Sequence, residues 1–175
     1  MKTHQPPLLS VIVPFYNNEA FVIAALDSLF TQISDEIEVV IIDDGSTDAS
    51  GALVSRYLAQ RQHPHVAFIS QANGGIAHAR NVGLQRATGR YVTFLDGDDL
   101  LSDDYLALLR PLLIADEYDL IDFNYQKFTE QPPKPENRAT QPAAYDFSSL
   151  GLGSLQPLFA RSMWHLWSRV YKSTL

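Results

Sequence analysis

The chain has 175 residues, a length that fits one compact domain or one domain with an appendage. Hydrophobic residues at 46% supply material for a core, and charged residues at 19% are too few for a disordered chain. The net charge of −7 disfavours a binder of duplex nucleic acid, and the absence of cysteine excludes a disulfide framework, a thiolate metal site and a cysteine nucleophile.

The N-terminal MKTHQPPLL carries one lysine, two prolines and no long apolar stretch, so it does not read as a signal peptide, and the expected location is the cytoplasm. Residues 8–13 are apolar, rich in β-branched side chains and ended by Pro14, the pattern of a fully buried strand. Val22, Ala25, Leu26, Leu29 and Phe30 then form one stripe of an amphipathic helix. Residues 38–42 make a second buried strand, ended by Asp43 and Asp44. Leu53, Val54, Tyr57 and Leu58 mark a helix behind the cap-forming Ser46, Thr47 and Asp48. Residues 66–70 are a strand, 75–87 a helix and 91–95 a fourth strand. Ser102 is expected to cap a helix reaching Leu113, with Asp103 and Asp104 in the first turn, where the helix dipole favours carboxylates. Residues 118–123 form a fifth strand. This alternation predicts an α/β fold, a mainly parallel sheet with helices on both faces. Residues 131–144 contain four prolines and read as an extended loop, followed by an apolar segment at 155–159 and an aromatic tail with Trp164, His165 and Trp167.

In an open parallel sheet, ligands bind beyond the carboxyl ends of the strands. Those ends carry Pro14 to Asn17, the DDGSTD segment from Asp43, the QANGG segment from Gln71, and DGDD from Asp96. If DGDD is extended, Asp96 and Asp98 point the same way, with Gly97 permitting close backbone approach. Two such carboxylates suit Mg²⁺ or Mn²⁺ completed by water and phosphate oxygens, and a solvated turn is the plainer alternative. Asp43 and Asp44 could simply end a strand, or their mutual repulsion could be relieved by a nucleobase imide or a ribose hydroxyl. Ile76, Arg80, Gly83 and Leu84 share a helical face, which directs the Arg80 guanidinium toward the packed side. Its partner would be an aspartate in a structural ion pair, or a substrate diphosphate near Gly74 and Gly75. His63 and His65 fall in a loop before the third strand and read as surface residues.

Four segments occur in order, SVIVPFYN, VVIIDDGSTDAS, NGGIAHARNVGL and GRYVTFLDGDD. With them the chain resembles the family 2 glycosyltransferases, inverting, nucleotide-sugar-dependent enzymes with a GT-A fold, Rossmann-like in build, that make bacterial polysaccharides. The tail WSRVYKSTL is similar to the family's segment after the acceptor loop. The resemblance implies that Pro14 and Tyr16 line the base pocket, that Asp44 with Asp43 beside it holds the nucleobase, usually uracil, and that Arg80 sits near base or diphosphate. It further implies that Asp96 contacts the ribose or donor sugar, that Asp98 ligates a divalent metal bridging the diphosphate, and that Asp99 is a further metal or donor contact.

The implied reaction transfers a sugar from a UDP-sugar, with Mn²⁺ or Mg²⁺, to a saccharide or lipid-linked acceptor. In similar enzymes the general base is a carboxylate in a Glu-Asp motif downstream of the segment matched here by residues 167–171. The sequence reaches Leu175 without that motif, so the base is expected beyond Leu175. On this reading residues 1–130 are a nucleotide-sugar-binding core, 131–146 a Pro-rich loop and 147–175 the start of an acceptor-side region. A peripheral contact at the inner face of a membrane would come through a further C-terminal part. The alternatives are a nucleotide-binding module without complete catalytic machinery and a sugar nucleotidyltransferase. The second lacks support because PFYNNE stands where its Gly-rich, Arg-containing loop would be, and a dinucleotide-dependent dehydrogenase is disfavoured by the absence of GxGxxG.

Overall fold

The computed structural model describes residues 5–61, 63–128, 143–145 and 168–174. Most of the Pro-rich loop, the 155–159 segment, Trp164, His165 and Trp167 lie outside the described residues. The elements are β1 (Leu9–Phe15), α1 (Val22–Phe30), β2 (Ile37–Asp43), α2 (Ser50–Ala59), β3 (Val66–Ser70), α3 (Ile76–Arg86), β4 (Tyr91–Phe94), α4 (Tyr105–Ala115), β5 (Leu120–Asp122), β6 (Ala143–Tyr145) and β7 (Arg169–Lys172).

The strands form one sheet in the order β3-β2-β1-β4-β7-β5-β6. The first four are mutually parallel, as the alternation predicts, and β7 runs antiparallel to both β4 and β5. Alternating side chains of the sheet feed two cores. Leu9, Val11, Val13 and Phe15 of β1 pack with α1, α2 and α4, whereas Ile12 packs with Val40, Ile42, Val92 and Phe94 under Ala79 of α3. Among the described residues helices therefore cover both faces, three on one side and one on the other. Among the described residues no helix is long and apolar enough to cross a membrane.

Several local expectations are corrected. β1 does not stop at Pro14 but runs through it to Phe15. A proline is tolerated there because the pairing of β1 with β4 ends at Ile12, whose carbonyl accepts Leu95 N–H at 2.9 Å, so no partner strand awaits the missing donor. The start of α4 is not capped by Ser102, and Asp103 and Asp104 lie before the helix rather than in its first turn. A distant side chain does the work: Gln32 Oε1 accepts Leu106 N–H at 2.9 Å while its Nε2 donates to Ser102 O at 2.9 Å. At α2, Asp48 accepts the N–H of Ser50 at 2.9 Å, but Ser46 and Thr47 bond across to Asn17 instead of capping.

The packed face of α3 is also shifted. Ile76 and Leu84 are 50% and 45% exposed, and Ala79 and Gly83 are the buried pair. A Cβ on Gly83 would stand 2.3 Å from Ile12 Cγ2, so the absence of a side chain there lets the helix approach β1 closely. Gly83→Ala should therefore destabilise the fold by about 1–3 kcal/mol through overpacking, although alanine is ordinarily the better helix former by about 1 kcal/mol. Chemical denaturation of the two proteins measures the sign directly.

Candidate functional site

The chain steps outward from β1 to β2 and β3 on one side, and places β4 on the other. The switch point of the sheet thus falls between β1 and β4, the position at which open α/β sheets bind ligands beyond the carboxyl ends. Gly97 brings the loop after β4 tightly against the end of β1: a Cβ there would lie 2.7 Å from Phe15 Cβ. Pro14 is buried within β1, while Tyr16, just beyond the strand, is 46% exposed.

On the β2 side, Asp43 and Asp44 are only 6% and 2% exposed. Asp43 Oδ1 accepts Ser46 N–H at 2.9 Å. Asp44 accepts from Gln71 Nε2 at 2.7 Å, Gly74 N–H at 3.0 Å and Gly75 N–H at 2.8 Å. Burial alone would raise the Asp44 carboxyl, but these donors and the nearby His78 outweigh it and hold the group below its ordinary value. The repulsion expected between the adjacent acids is relieved by the protein itself. Three of roughly four acceptor positions of Asp44 are filled in this way.

On the β4 side, Arg80 meets Asp96. One terminal nitrogen, Nη2, donates to both carboxylate oxygens at 2.7 and 2.8 Å, and the side chains are 17% and 21% exposed. The guanidinium lies 5.7 Å from the Phe94 ring centroid, and its Nε is buried with no partner among the described residues. The aspartate is one of the partners foreseen for Arg80. DGDD itself is not extended. Asp99 N–H donates to Asp96 O at 3.0 Å, closing a turn, so the alternation that would point Asp96 and Asp98 the same way does not apply. Asp96 faces Arg80, Asp98 is exposed and Asp99 is half-buried. Burial, together with the charges of Asp96 and Asp98, pushes the Asp99 carboxyl up to about 6.

Among the described residues no group of three or more His, Asp or Glu side chains is disposed to hold a metal ion. The turn nevertheless fits a divalent ion of the Mg²⁺ type, which is held by one or two carboxylates and completed by water and phosphate oxygens. Burial raises Asp99 most, and the added repulsion from Asp96 and Asp98 is of the kind a cation relieves.

Sequence reading left Asn17, Gln71, Asn73 and Asp122 without roles. Asn17, at φ 50°, accepts Thr47 N–H at 2.8 Å and ties the loop after β1 to the loop after β2. Asn73 donates to Asp44 O at 3.0 Å. Asp122 forms an ion pair at 3.2 Å with Arg169, both nearly fully buried, and Thr93 Oγ1 donates to Arg169 O at 2.8 Å, which ties β7 to β4. Gln71 and Asn73 stand in the polar QANGG segment, a signal of position but not of partner. A separate groove of about 270 Å³ lies among Leu8, Glu36, Ile37, Leu106 and Arg110, beside the starts of β1 and β2 and away from these acids.

The mainly parallel sheet, with acidic loops gathered at its switch point, is a Rossmann-like fold of the GT-A type. Residues 10–160 match the family described as Glycosyl transferase family 2, and the chain belongs to that family. It is 40% identical to the glycosyltransferase GlyA of Streptococcus pneumoniae over 70% of its length, and 32% identical to the uncharacterized glycosyltransferase EpsJ of Bacillus subtilis over 97%. It spans 17% and 49% of those two proteins. Its structure is similar to the crystal structure of S. aureus TarS 1-349 in complex with UDP-GlcNAc, at a TM-score of 0.70 and 25% identity, over 95% of this chain and 45% of that one. It is also similar to the mannosyltransferase PcManGT from Pyrobaculum calidifontis in complex with GDP-Man and Mn²⁺, at a TM-score of 0.60 and 31% identity, over 67% of this chain and 35% of that one.

Asp44→Asn replaces an acceptor facing three donors with a group that can offer only one oxygen, and should cost about 1–3 kcal/mol. Because the folded carboxyl is held low, its contribution is present above the unfolded value near 3.9 and is lost as pH falls through the folded value. Denaturation of wild type and variant from neutral to acid pH should show the variant losing less stability in that window.

Proposed function

We propose that the chain forms the donor-binding portion of a glycosyltransferase that takes a sugar from a UDP-sugar, with Mn²⁺ or Mg²⁺, and passes it to a saccharide or lipid-linked acceptor with inversion. The observation that carries this reading is the pair of polar clusters flanking the β1–β4 switch point, Asp44 with Gln71, Gly74 and Gly75 on one side and Arg80 with the DGDD turn on the other. The similarity to TarS in complex with UDP-GlcNAc and to PcManGT in complex with GDP-Man and Mn²⁺ supports it. Residues 1–130 are the core of this portion on the same reading, with β7 joining its sheet.

The roles follow from the chemistry of each group. Asp44 presents its remaining acceptor position to the N–H of a nucleobase, and Tyr16 offers an exposed ring on which the base can stack. Pro14 and Asp43 shape the floor beneath them. Asp96, held by Arg80, lies where ribose or donor-sugar hydroxyls would meet its carboxylate. Asp98 and Asp99 would hold the divalent ion, which supplies positive charge against that developing on the leaving diphosphate. An acceptor hydroxyl attacking the anomeric carbon opposite the diphosphate inverts its configuration and gives its proton to a general base.

Calorimetric titration of UDP tests this. With Mn²⁺ present the wild-type chain should bind UDP, and without metal it should bind much less. Asp98→Ala should weaken the metal-dependent binding roughly tenfold or more, equivalent to about 1.4 kcal/mol. Tyr16→Ala should cost about 1–3 kcal/mol through lost stacking, with or without metal. A wild-type chain that binds no UDP in the presence of Mn²⁺ would overturn the proposal.

A further inference from the structure

The sheet ends on one side at β3, and among the described residues no strand pairs with its outer edge. Val39 N–H donates to His65 O and Gln71 N–H to Asp43 O, so the odd-numbered positions of β3 face β2. The backbone amides and carbonyls of Val66, Phe68 and Ser70 therefore point outward, with no partner among the described residues. An open row of this kind is a template for a further strand, and Val66–Ser70 holds neither the lysine nor the proline that commonly blunts one.

Beside the same edge lies a groove of about 570 Å³, lined by Leu58, Arg61, His63, Pro64, Val66 and Phe68. Val66 and Phe68 also pack against the core, so the groove has an apolar inner wall. The charge of the segments that form it is of one sign. All 20 acidic residues of the chain lie outside residues 49–95, the stretch that spans α2, β3 and α3. Arg56 is exposed in the last turn of α2, and Arg61 follows that helix. Arg61 is paired with Asp27 of α1 at 3.3 Å, but the two side chains are 42% and 52% exposed, and such a pair exchanges readily for another carboxylate.

We propose that the β3 edge receives an extended, acidic segment of a partner protein, added to the sheet as a further strand. Its backbone would complete the ladder at Val66, Phe68 and Ser70, alternate apolar side chains would enter the groove, and its carboxylates would meet Arg56 and Arg61. A second copy of this chain fits less well. Antiparallel pairing of two β3 strands would set Arg61 and His63 of one copy against residues 71–75 of the other, which hold no acid. An anionic lipid surface would match the charge but leave the ladder unpaired.

The test uses the full chain and a synthetic peptide of alternating valine and glutamate, long enough to span β3, with a valine–lysine peptide as control. In the chain alone, residue-resolved hydrogen–deuterium exchange should be slow at Ala67 and Ile69, which bond to β2, and fast at Val66, Phe68 and Ser70. The glutamate peptide should slow the second set about tenfold or more, and should bind about tenfold or more tightly than the lysine peptide. Val66→Pro removes one outward N–H and leaves the ladder to β2 intact, so it should weaken the glutamate peptide about tenfold without changing exchange at Ala67 and Ile69. Should that variant fail to fold, Arg61→Gln keeps the edge and should narrow the preference for glutamate over lysine about threefold or more. Binding without slowed exchange at Val66, Phe68 and Ser70 overturns the proposal, as do equal affinities for the two peptides and absence of binding at millimolar peptide. Slowing at those amides that grows with the concentration of the chain alone overturns it in favour of a second copy. Displacement of the peptide by phosphatidylglycerol vesicles overturns it in favour of a lipid surface.

Discussion

A carboxylate taken out of water must be met by donors, and the Asp44 carboxylate, 2% exposed, is met by Gln71, Gly74 and Gly75. Much of the site's geometry depends on that requirement. Satisfying Asp44 draws the loop after β3 over the end of β2 and fixes Gly75, which at φ 85° leads directly into α3. The start of α3 then determines where Arg80 lies along the helix. Contact between Gly83 and Ile12 sets the depth at which α3 rests on β1, and together these constraints carry the guanidinium to Asp96. The turn that holds Asp98 and Asp99 hangs from Asp96 through the bond of Asp99 N–H to its carbonyl.

The elements were legible in the sequence because burial leaves a strong pattern. β1 and β2 are largely apolar on both faces, and the β-branched runs at 11–13 and 39–42 mark them as buried strands. The stripe of Val22, Ala25, Leu26 and Leu29 is buried as its spacing predicts. The parallel order of the first four strands follows from their alternation with helices. The ends of those strands were legible as well, since polar residues cluster there and the rule for open α/β sheets then selects one edge of the sheet.

What escaped were interactions whose two halves lie far apart in the chain. Gln32 displaces Ser102 as the partner of the α4 start, and Asn17 diverts Ser46 and Thr47 from capping α2. Local propensity cannot anticipate an acceptor that arrives from 30 or 74 residues away. The four residues of β7 carry too short a pattern to be read as a strand, although they pair with both β4 and β5. DGDD stood out as an acidic cluster, but its residues adopt a turn, and the pairing of Asp96 with Arg80 depends on a helix packed from another part of the fold. Sequence thus placed the charges at the right edge of the sheet, and tertiary contacts decided which of them remain free.

The central claim is that a nucleotide occupies the carboxyl edge at the β1–β4 switch point and not the groove beside the starts of β1 and β2. Hydrogen–deuterium exchange of the chain with UDP and Mn²⁺, read residue by residue, tests it most directly. Protection should rise at Tyr16, in the segments 44–48 and 71–75, and at 96–99, with residues around Leu8, Glu36 and Arg110 unchanged. Protection confined to Leu8, Glu36 and Arg110, with the four strand-end loops exchanging as in the free protein, would contradict the account.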